Sequence, residues 1–286
     1  MSTLTVSLVI YKTPPEELEQ LFASLQTSQA VTAWVVVDNA ATESTAETAL
    51  LRQAVLGAGG RYVAASGNLG FGGGHNLGLT SLADCASTYH LLVNPDIRFG
   101  PHLLPELIAV LDARPTVGWV MPRIVYPDGR PQYLCKLLPS PLHFVLRRFL
   151  PGRWQGLVRK YLDSYELRGL EQVENTVVPF LSGCFVMARR SVLEAVGGFD
   201  DRYFLYMEDV DLCRRMAARS ELLYYPSMSV THGYHRGSHR NWWLTWVHIR
   251  SSITYFNKWG WILDAGRKRA NQRAIDKLRE VERSTS

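Results

Sequence analysis

VTAWVVVDN, residues 31–39, decides the fold. Trp34 to Val37 run apolar without alternation, so both faces of this strand are expected to be covered, as in a parallel sheet with helices on each side. The run then ends on a carboxylate and an amide, Asp38 and Asn39. LTVSLVIY (4–11) has the same character, and PEELEQLFASL between them reads as a helix with Pro15 at its first position. STAETALLRQAV is a helix, RYVAAS a short strand and HNLGLTSLAD a helix. YHLLVNPD (89–96) is a strand stopped by Pro95, followed by the helix PHLLPELIAVLDA and the strand VGWVMPRIV. This alternation predicts a Rossmann-like, mostly parallel α/β sheet flanked by helices.

In such a sheet ligands bind beyond the carboxyl ends of the strands. Three strand ends finish in polar residues: Asp38-Asn39, Ser66-Gly67-Asn68 and Asn94-Pro95-Asp96. All three are expected on one rim.

The 286 residues suffice for one large domain, or a domain with an appendage. Four cysteines, at 85, 135, 184 and 213, have no CxxC and no paired spacing, as expected of free thiols in a reducing compartment. VSLVIY is followed at once by Lys12 and a proline pair, a strand and turn rather than a leader, and no apolar run is long enough to span a bilayer. The expectation is a soluble cytoplasmic protein. Its charge of +5 is uneven: residues 236–286 hold 11 Lys/Arg against 4 Asp/Glu, and residues 136–168 hold 7 against 2. An acidic body with two basic appendages points to an anionic partner such as lipid, nucleic acid or glycan.

NLGFGGGHNLG (68–78) reads as a glycine-rich loop entering a helix, where backbone can approach a phosphate closely. The dinucleotide pattern GxGxxG fails, because the third glycine falls on His75. Asp96 in VNPD offers one carboxylate, enough for Mg²⁺ or Mn²⁺ that keeps its waters and binds diphosphate; an Asx-type turn explains the same residues. THGYHRGSH offers His232, His235 and His239 without HExxH or a nearby cysteine, which disfavours zinc. A single histidine closing a metal site begun by Asp96 fits better. YFLYMEDVDLCRR (203–215) crowds Glu208, Asp209 and Asp211 behind an aromatic run. Acids suit a first helical turn, but three in a partly dry setting repel one another, which suggests a site that needs a proton acceptor.

These segments, with FLSGCFVMARR and GGFDDRYFLYMEDVDLCRR in this order, resemble inverting family-2 glycosyltransferases, nearest their rhamnosyltransferase-like branch, over roughly residues 4–258. The resemblance implies a GT-A-type fold over residues 1–238, with 136–168 as a basic insertion and 239–286 as a helical extension. It further implies a nucleotide-sugar donor, a glycan acceptor and a divalent metal. Asp209 matches the base, with Glu208 as its support and Asp211 as a structural acid paired with Arg214 or Arg215. Asp38 matches the base-contacting residue of the nucleotide site. His75 and Asn76 match the Arg-Asn pair of its loop, with His75 where many relatives carry arginine, and Asn68 and Gly70 of the same glycine-rich run are expected to bind the nucleotide with them. Asn94 and Asp96 match an Asp-x-Asp element whose first acid is here an amide, leaving metal binding to Asp96 and His232. Ser182 and Gly183 match the strand lining the donor sugar.

Trp154, Leu157, Val158, Tyr161 and Leu162 share one helical face, as do Trp242, Trp246, Ile249, Ile253 and Phe256. Tryptophan with Lys/Arg on such helices suggests peripheral contact with an anionic membrane, on the cytoplasmic face of the inner membrane. For 241–256, packing of the aromatic face on the catalytic domain is an equal reading. The final stretch, from Gly266, reads as a solvated helix. A UDP-hexose donor, or a non-catalytic nucleotide- or glycan-binding protein, are the alternatives to a dTDP-L-rhamnose transferase acting on a cell-envelope glycan. Nucleic-acid binding is not expected: it would explain the basic ends but not three polar strand ends on one rim.

Overall fold

The computed structural model describes residues 2–41, 46–149, 152–172, 175–233 and 242–284. β1 (Leu4–Ile10), β2 (Val31–Asp38), β3 (Arg61–Ala64) and β4 (Tyr89–Val93) pair in parallel, in the spatial order β3-β2-β1-β4. The parallel sheet expected from the apolar runs holds for these four strands. Beyond them the sheet is mixed. β8 (Phe185–Arg189) inserts antiparallel between β4 and β6 (Val117–Val125), and β9 (Glu221–His232) pairs parallel with β6. The strand VGWVMPRIV therefore does not continue the series beside β4, because a strand from beyond residues 136–168 takes that place. β5 (Ile97–Arg98) and β7 (Thr176–Val177) both pair antiparallel with β9.

α1 (Pro15–Gln26) starts on its proline, with Glu16 and Glu17 in the first turn, and buries Leu18, Leu21, Phe22 and Leu25 at helical spacing. α2 (Ala46–Gly57), α4 (Leu103–Ala113) and α7 (Arg190–Ala195) complete the cover of the sheet. α3 (Gly70–Ser81) departs from expectation, because it begins inside the glycine run rather than after it. Glycine is a poor helix former, so packing must favour it here. A Cβ on Gly74 would lie 2.6 Å from Val9 Cγ1, and one on Gly78 would lie 2.8 Å from Ser7 Cβ. The glycines let α3 lie directly on β1.

Residues 136–168 form α5 (Pro141–Phe149) and α6 (Gly152–Tyr165), with His143 stacked on both Tyr161 and Tyr165 at 4.5 Å. The side chains of Trp154 and Leu157 lie outside the described residues, as do His235 and His239. α9 (Trp242–Trp259) buries Val247, Ser251, Ser252, Tyr255 and Phe256. Of the face anticipated from its spacing only Phe256 is buried, while Trp242, Trp246 and Ile253 are exposed. The packed face is therefore rotated around the helix from the expected one, because Ser251 and Tyr255 make hydrogen bonds, to Leu205 O and from Arg214, that hydrophobicity does not register. α10 (Ala265–Ser284) is also more firmly held than a solvated helix. Its Asn271 accepts from the Leu138 amide at 2.8 Å and donates to the Leu138 carbonyl at 2.9 Å. At its start, Asp264 forms a buried two-point ion pair with Arg214, at 2.6 and 2.8 Å.

Candidate active site

Parallel pairing sets Asp38 beside Ile10 and Ala64, and Leu8 beside Val93. The ends of β2, β3 and β4 thus share one rim, as expected. At one end of it, Asp38 accepts from the Tyr62 hydroxyl at 2.6 Å and from the Ala40 amide at 2.8 Å. Burial, then the bond to Asp38, pushes the Tyr62 hydroxyl above its ordinary pKa, so it remains a donor. Asp38 borders a cleft of about 440 Å³ that Lys12, Pro15, Glu47 and Leu51 also line.

The residues expected to form a nucleotide loop are engaged by protein. Asn68 Oδ1 accepts from the Gly70 amide at 3.0 Å, an Asx-type turn that leads into the helix. Gly70 is left-handed at φ +73, and a Cβ there would overlap the Phe204 carbonyl. Asn76 donates to the Phe199 carbonyl and accepts from the Phe199 amide, at 2.9 and 2.8 Å. His75 is buried and hydrogen-bonded to Ser7 Oγ at 2.8 Å; burial lowers its pKa to about 3, so it is neutral. The Asn76 bonds to Phe199 anchor α3 to the segment that precedes the acidic helix.

That helix, α8 (Glu208–Ala217), carries Glu208, Asp209 and Asp211 in its first turn and Arg214 and Arg215 in its last, the order its macrodipole favours. Tyr206 and Met207 before it are both left-handed, at φ 68 and 67, which costs roughly 1–2 kcal/mol each. Neighbours hold the strained turn. The Phe71 amide donates to Phe204 O at 3.1 Å and Ser251 Oγ donates to Leu205 O at 2.8 Å. Asp211 is fully buried among Arg215 Nε, Lys258 Nζ and Trp259 Nε1, each at 2.7 Å. The expected pairing with Arg215 is present, whereas Arg214 pairs with Asp264. Lys258 and Trp259, from the last turn of α9, were not anticipated.

Asp209 is part-exposed, and its Oδ2 accepts from the Gly183 amide at 3.2 Å. Its pKa is raised by burial and pulled back by the Gly183 and Val210 amides and by the charge of Lys136. Glu208 is pushed well above the carboxylate range, first by burial and then by Asp209. Two adjacent acids are thereby driven apart, with Glu208 keeping its proton longer. Glu208 Oε2 is buried without a hydrogen-bond partner. Ser182 and Gly183 lie in the turn before β8 rather than on the strand. That turn bridges two parts of the rim, because the Asn94 amide donates to the Cys184 carbonyl at 2.8 Å while Gly183 donates to Asp209.

Beyond β4, β5 pairs Ile97 with His232 and draws that histidine to the rim. His232 Nε2 lies 3.4 Å from Asp96 Oδ1 and 3.5 Å from Asn94 Nδ2. Gln132 was also missed in the sequence. Its amide nitrogen donates to the His232 carbonyl at 2.9 Å, so its oxygen faces His232 Nδ1, also at 2.9 Å. That places a proton on Nδ1 and turns Nε2 toward Asp96. Among the described residues no group of three His/Cys/Asp/Glu side chains converges. A carboxylate, an imidazole nitrogen and an amide fit a hard cation that takes its other ligands from water and diphosphate.

A mixed sheet of this order flanked by helices is a GT-A-type fold. The same fold occurs in a mannosyltransferase of Pyrobaculum calidifontis solved with GDP-Man and Mn2+ (TM-score 0.58, 17% identity, 98% of this chain and 73% of that one). Residues 5–197 match Glycosyl transferase family 2. The chain is 32% identical over 243 residues to the N-acetylglucosaminyl-diphospho-decaprenol L-rhamnosyltransferase of Mycobacterium tuberculosis, covering 80% of this chain and 75% of that protein. It is 24% identical over 221 residues to the low-salt glycan biosynthesis hexosyltransferase Agl10 of Haloferax volcanii, covering 75% and 62%. The chain belongs to glycosyltransferase family 2, and it is a glycosyltransferase.

Proposed function

We propose that the enzyme is an inverting rhamnosyltransferase that moves L-rhamnose from dTDP-L-rhamnose to a hydroxyl of a lipid-linked cell-envelope saccharide. The observation that carries the site assignment is the Ser182–Cys184 turn, whose amide and carbonyl tie Asp209 to the end of β4. It supports one cavity with a base on one side and diphosphate-facing groups on the other. The M. tuberculosis relative, named for L-rhamnose transfer to a diphospho-decaprenol acceptor, supports the choice of sugar and acceptor class.

Asp209 takes the acceptor hydroxyl proton as that oxygen attacks the anomeric carbon, and the bond to the nucleoside diphosphate breaks on the opposite face. Burial raises the Asp209 pKa, which makes it a better proton acceptor, while the Gly183 and Val210 amides pull the pKa back. Glu208, pushed up by burial and then by Asp209, keeps its proton longer than Asp209 does and positions the helix start. Asp38 and the adjoining cleft take the nucleoside, and Ser182 and Gly183 line the sugar. Asp96 and His232, with Asn94 alongside, would hold Mg²⁺ or Mn²⁺, which supplies charge stabilisation for the departing diphosphate. Residues 1–238 form the catalytic unit in this reading. The extension from 239 supports it through Lys258, Trp259 and Ser251.

Release of nucleoside diphosphate tests the reading, over dTDP-L-rhamnose, UDP-hexoses and GDP-mannose, with a prenyl-diphosphosaccharide acceptor and with Mg²⁺, Mn²⁺ or EDTA. Metal-dependent dTDP release is expected. UDP release from a hexose donor would keep the chemistry and replace the sugar. No turnover, together with no calorimetric binding of any nucleotide, would overturn the assignment of the rim.

A further inference from the structure

α9 is apolar on two opposed sides. Its inner side packs on the catalytic body through Val247, Ser251 and Tyr255, and Phe256 is buried at the edge between the two sides. Its outer side carries Trp242, 88% exposed, then Trp246 and Ile253, which fall within about 40° of one another at 100° per residue. The stripe continues beyond the helix. Trp261 Nε1 donates to Asn257 Oδ1 at 2.8 Å, holding the indole against the last turn, and Ile262 and Leu263 follow at 78% and 88% exposure. An 18-residue helix is about 27 Å long, so this is an extended apolar strip rather than a scatter of single residues.

Charge identifies what the strip meets. Residues 241–263 contain no Asp or Glu. The first acid after them, Asp264, is buried in its pair with Arg214. The cations are at the margins: Arg250 stands 5.9 Å from the Trp246 ring, and Lys268, Arg269 and Arg273 are exposed on the first turns of α10. Indoles and aliphatic chains in a line, bordered by cations and free of acids, match the boundary between headgroups and acyl chains of an anionic bilayer. No described helix is long and apolar enough to cross a membrane, so the strip would lie in the plane of the surface. A protein partner of ordinary mixed charge would gain nothing from the absence of acids.

We infer that the outer face of α9 and the turn Trp261–Leu263 form a docking surface for an anionic phospholipid bilayer. The purpose of such docking rests on the reading of a lipid-linked acceptor, but the surface stands on its own geometry. The inner face of the same helix holds the site, through Ser251 on the strained turn and Lys258 and Trp259 on Asp211. Docking would therefore fix the catalytic rim at a set height above the lipid.

The test is co-sedimentation of the full chain with vesicles of phosphatidylglycerol and phosphatidylethanolamine, against phosphatidylcholine alone, without donor or acceptor. Retention by the anionic vesicles at low salt is expected, falling at least about tenfold in Ile262→Glu/Leu263→Glu and again in Trp242→Ala/Trp246→Ala. Unchanged melting temperatures would show that the variants are folded. Absence of retention, or equal retention of the variants, would overturn the proposal. So would self-association of the wild type that the same substitutions abolish without any vesicle binding, since the strip would then cover a second copy. Because no sugar transfer is measured, a wrong donor assignment leaves this outcome untouched.

Discussion

The starts of α3 and α8 raise the same expectation in the sequence and meet it differently in the folded chain. One is a run of glycines with Asn68, His75 and Asn76 interleaved; the other is a run of acids behind aromatics. Both have the composition of a ligand site. In α3 the polar side chains bond to protein, Asn68 onto Gly70, Asn76 onto Phe199 and His75 Nδ1 onto Ser7, with His75 Nε2 buried and unpartnered. In α8 the acids divide. Asp211 is locked in the interior, Glu208 is buried beside it, and Asp209 alone reaches the rim. A motif tells which chemistry is available, while the third element packed against it decides which atoms remain available to a ligand.

The strongest way to break this contrast is Asp209→Asn. It should lower kcat by about 10²–10⁴ in single-turnover transfer while leaving the melting temperature and nucleotide affinity near wild type. A comparable loss of stability would mean that Asp209 is another interior acid. The wild-type pH profile should agree with it. Because burial raises the Asp209 pKa, the rate should climb on the acidic limb at a pH above the ordinary aspartate value.

Gly74→Ala tests the other side. Alanine at a helical glycine normally stabilises by roughly 0.5–1 kcal/mol, and Gly156 on α6, with nothing within 4 Å of its missing Cβ, should behave so. At Gly74 the added carbon meets Val9, and the sign should invert to a loss of about 1–3 kcal/mol in urea unfolding. Stabilisation at both positions would mean that α3 does not depend on close contact with β1.

Glu208→Gln gives the smallest and most diagnostic effect. A buried acid whose folded pKa is raised holds a proton that the unfolded chain releases, so its contribution falls as pH rises above the unfolded value near 4.5. The variant should therefore gain about 1 kcal/mol near neutral pH, and the gain should vanish below pH 4. A flat difference across pH would show that Glu208 is not held protonated.

Much of the rim was legible in the sequence, because continuous apolar strands force a sheet covered on both faces, and parallel strands bring their ends together. Asp38, Asn94 and Asp96 needed only that logic. Lys136, Gln132, Lys258 and Trp259 did not register, since they lie far along the chain from the residues they touch and belong to no local pattern. The face of α9 was misplaced for a related reason. Hydrophobic spacing picked out the tryptophans, whereas the packed side relies on Ser251 bonding to Leu205 and on Tyr255 beside Arg214.

By itself, the sequence determined the strand and helix order, the polar rim and the chemical types gathered there, since these follow from periodicity and from where apolar runs stop. The tertiary structure decided which acid is free, where β8 enters the sheet, and which side of α9 faces outward. Those depend on contacts between residues distant in the chain, and such contacts leave no local trace because either partner alone is an ordinary residue.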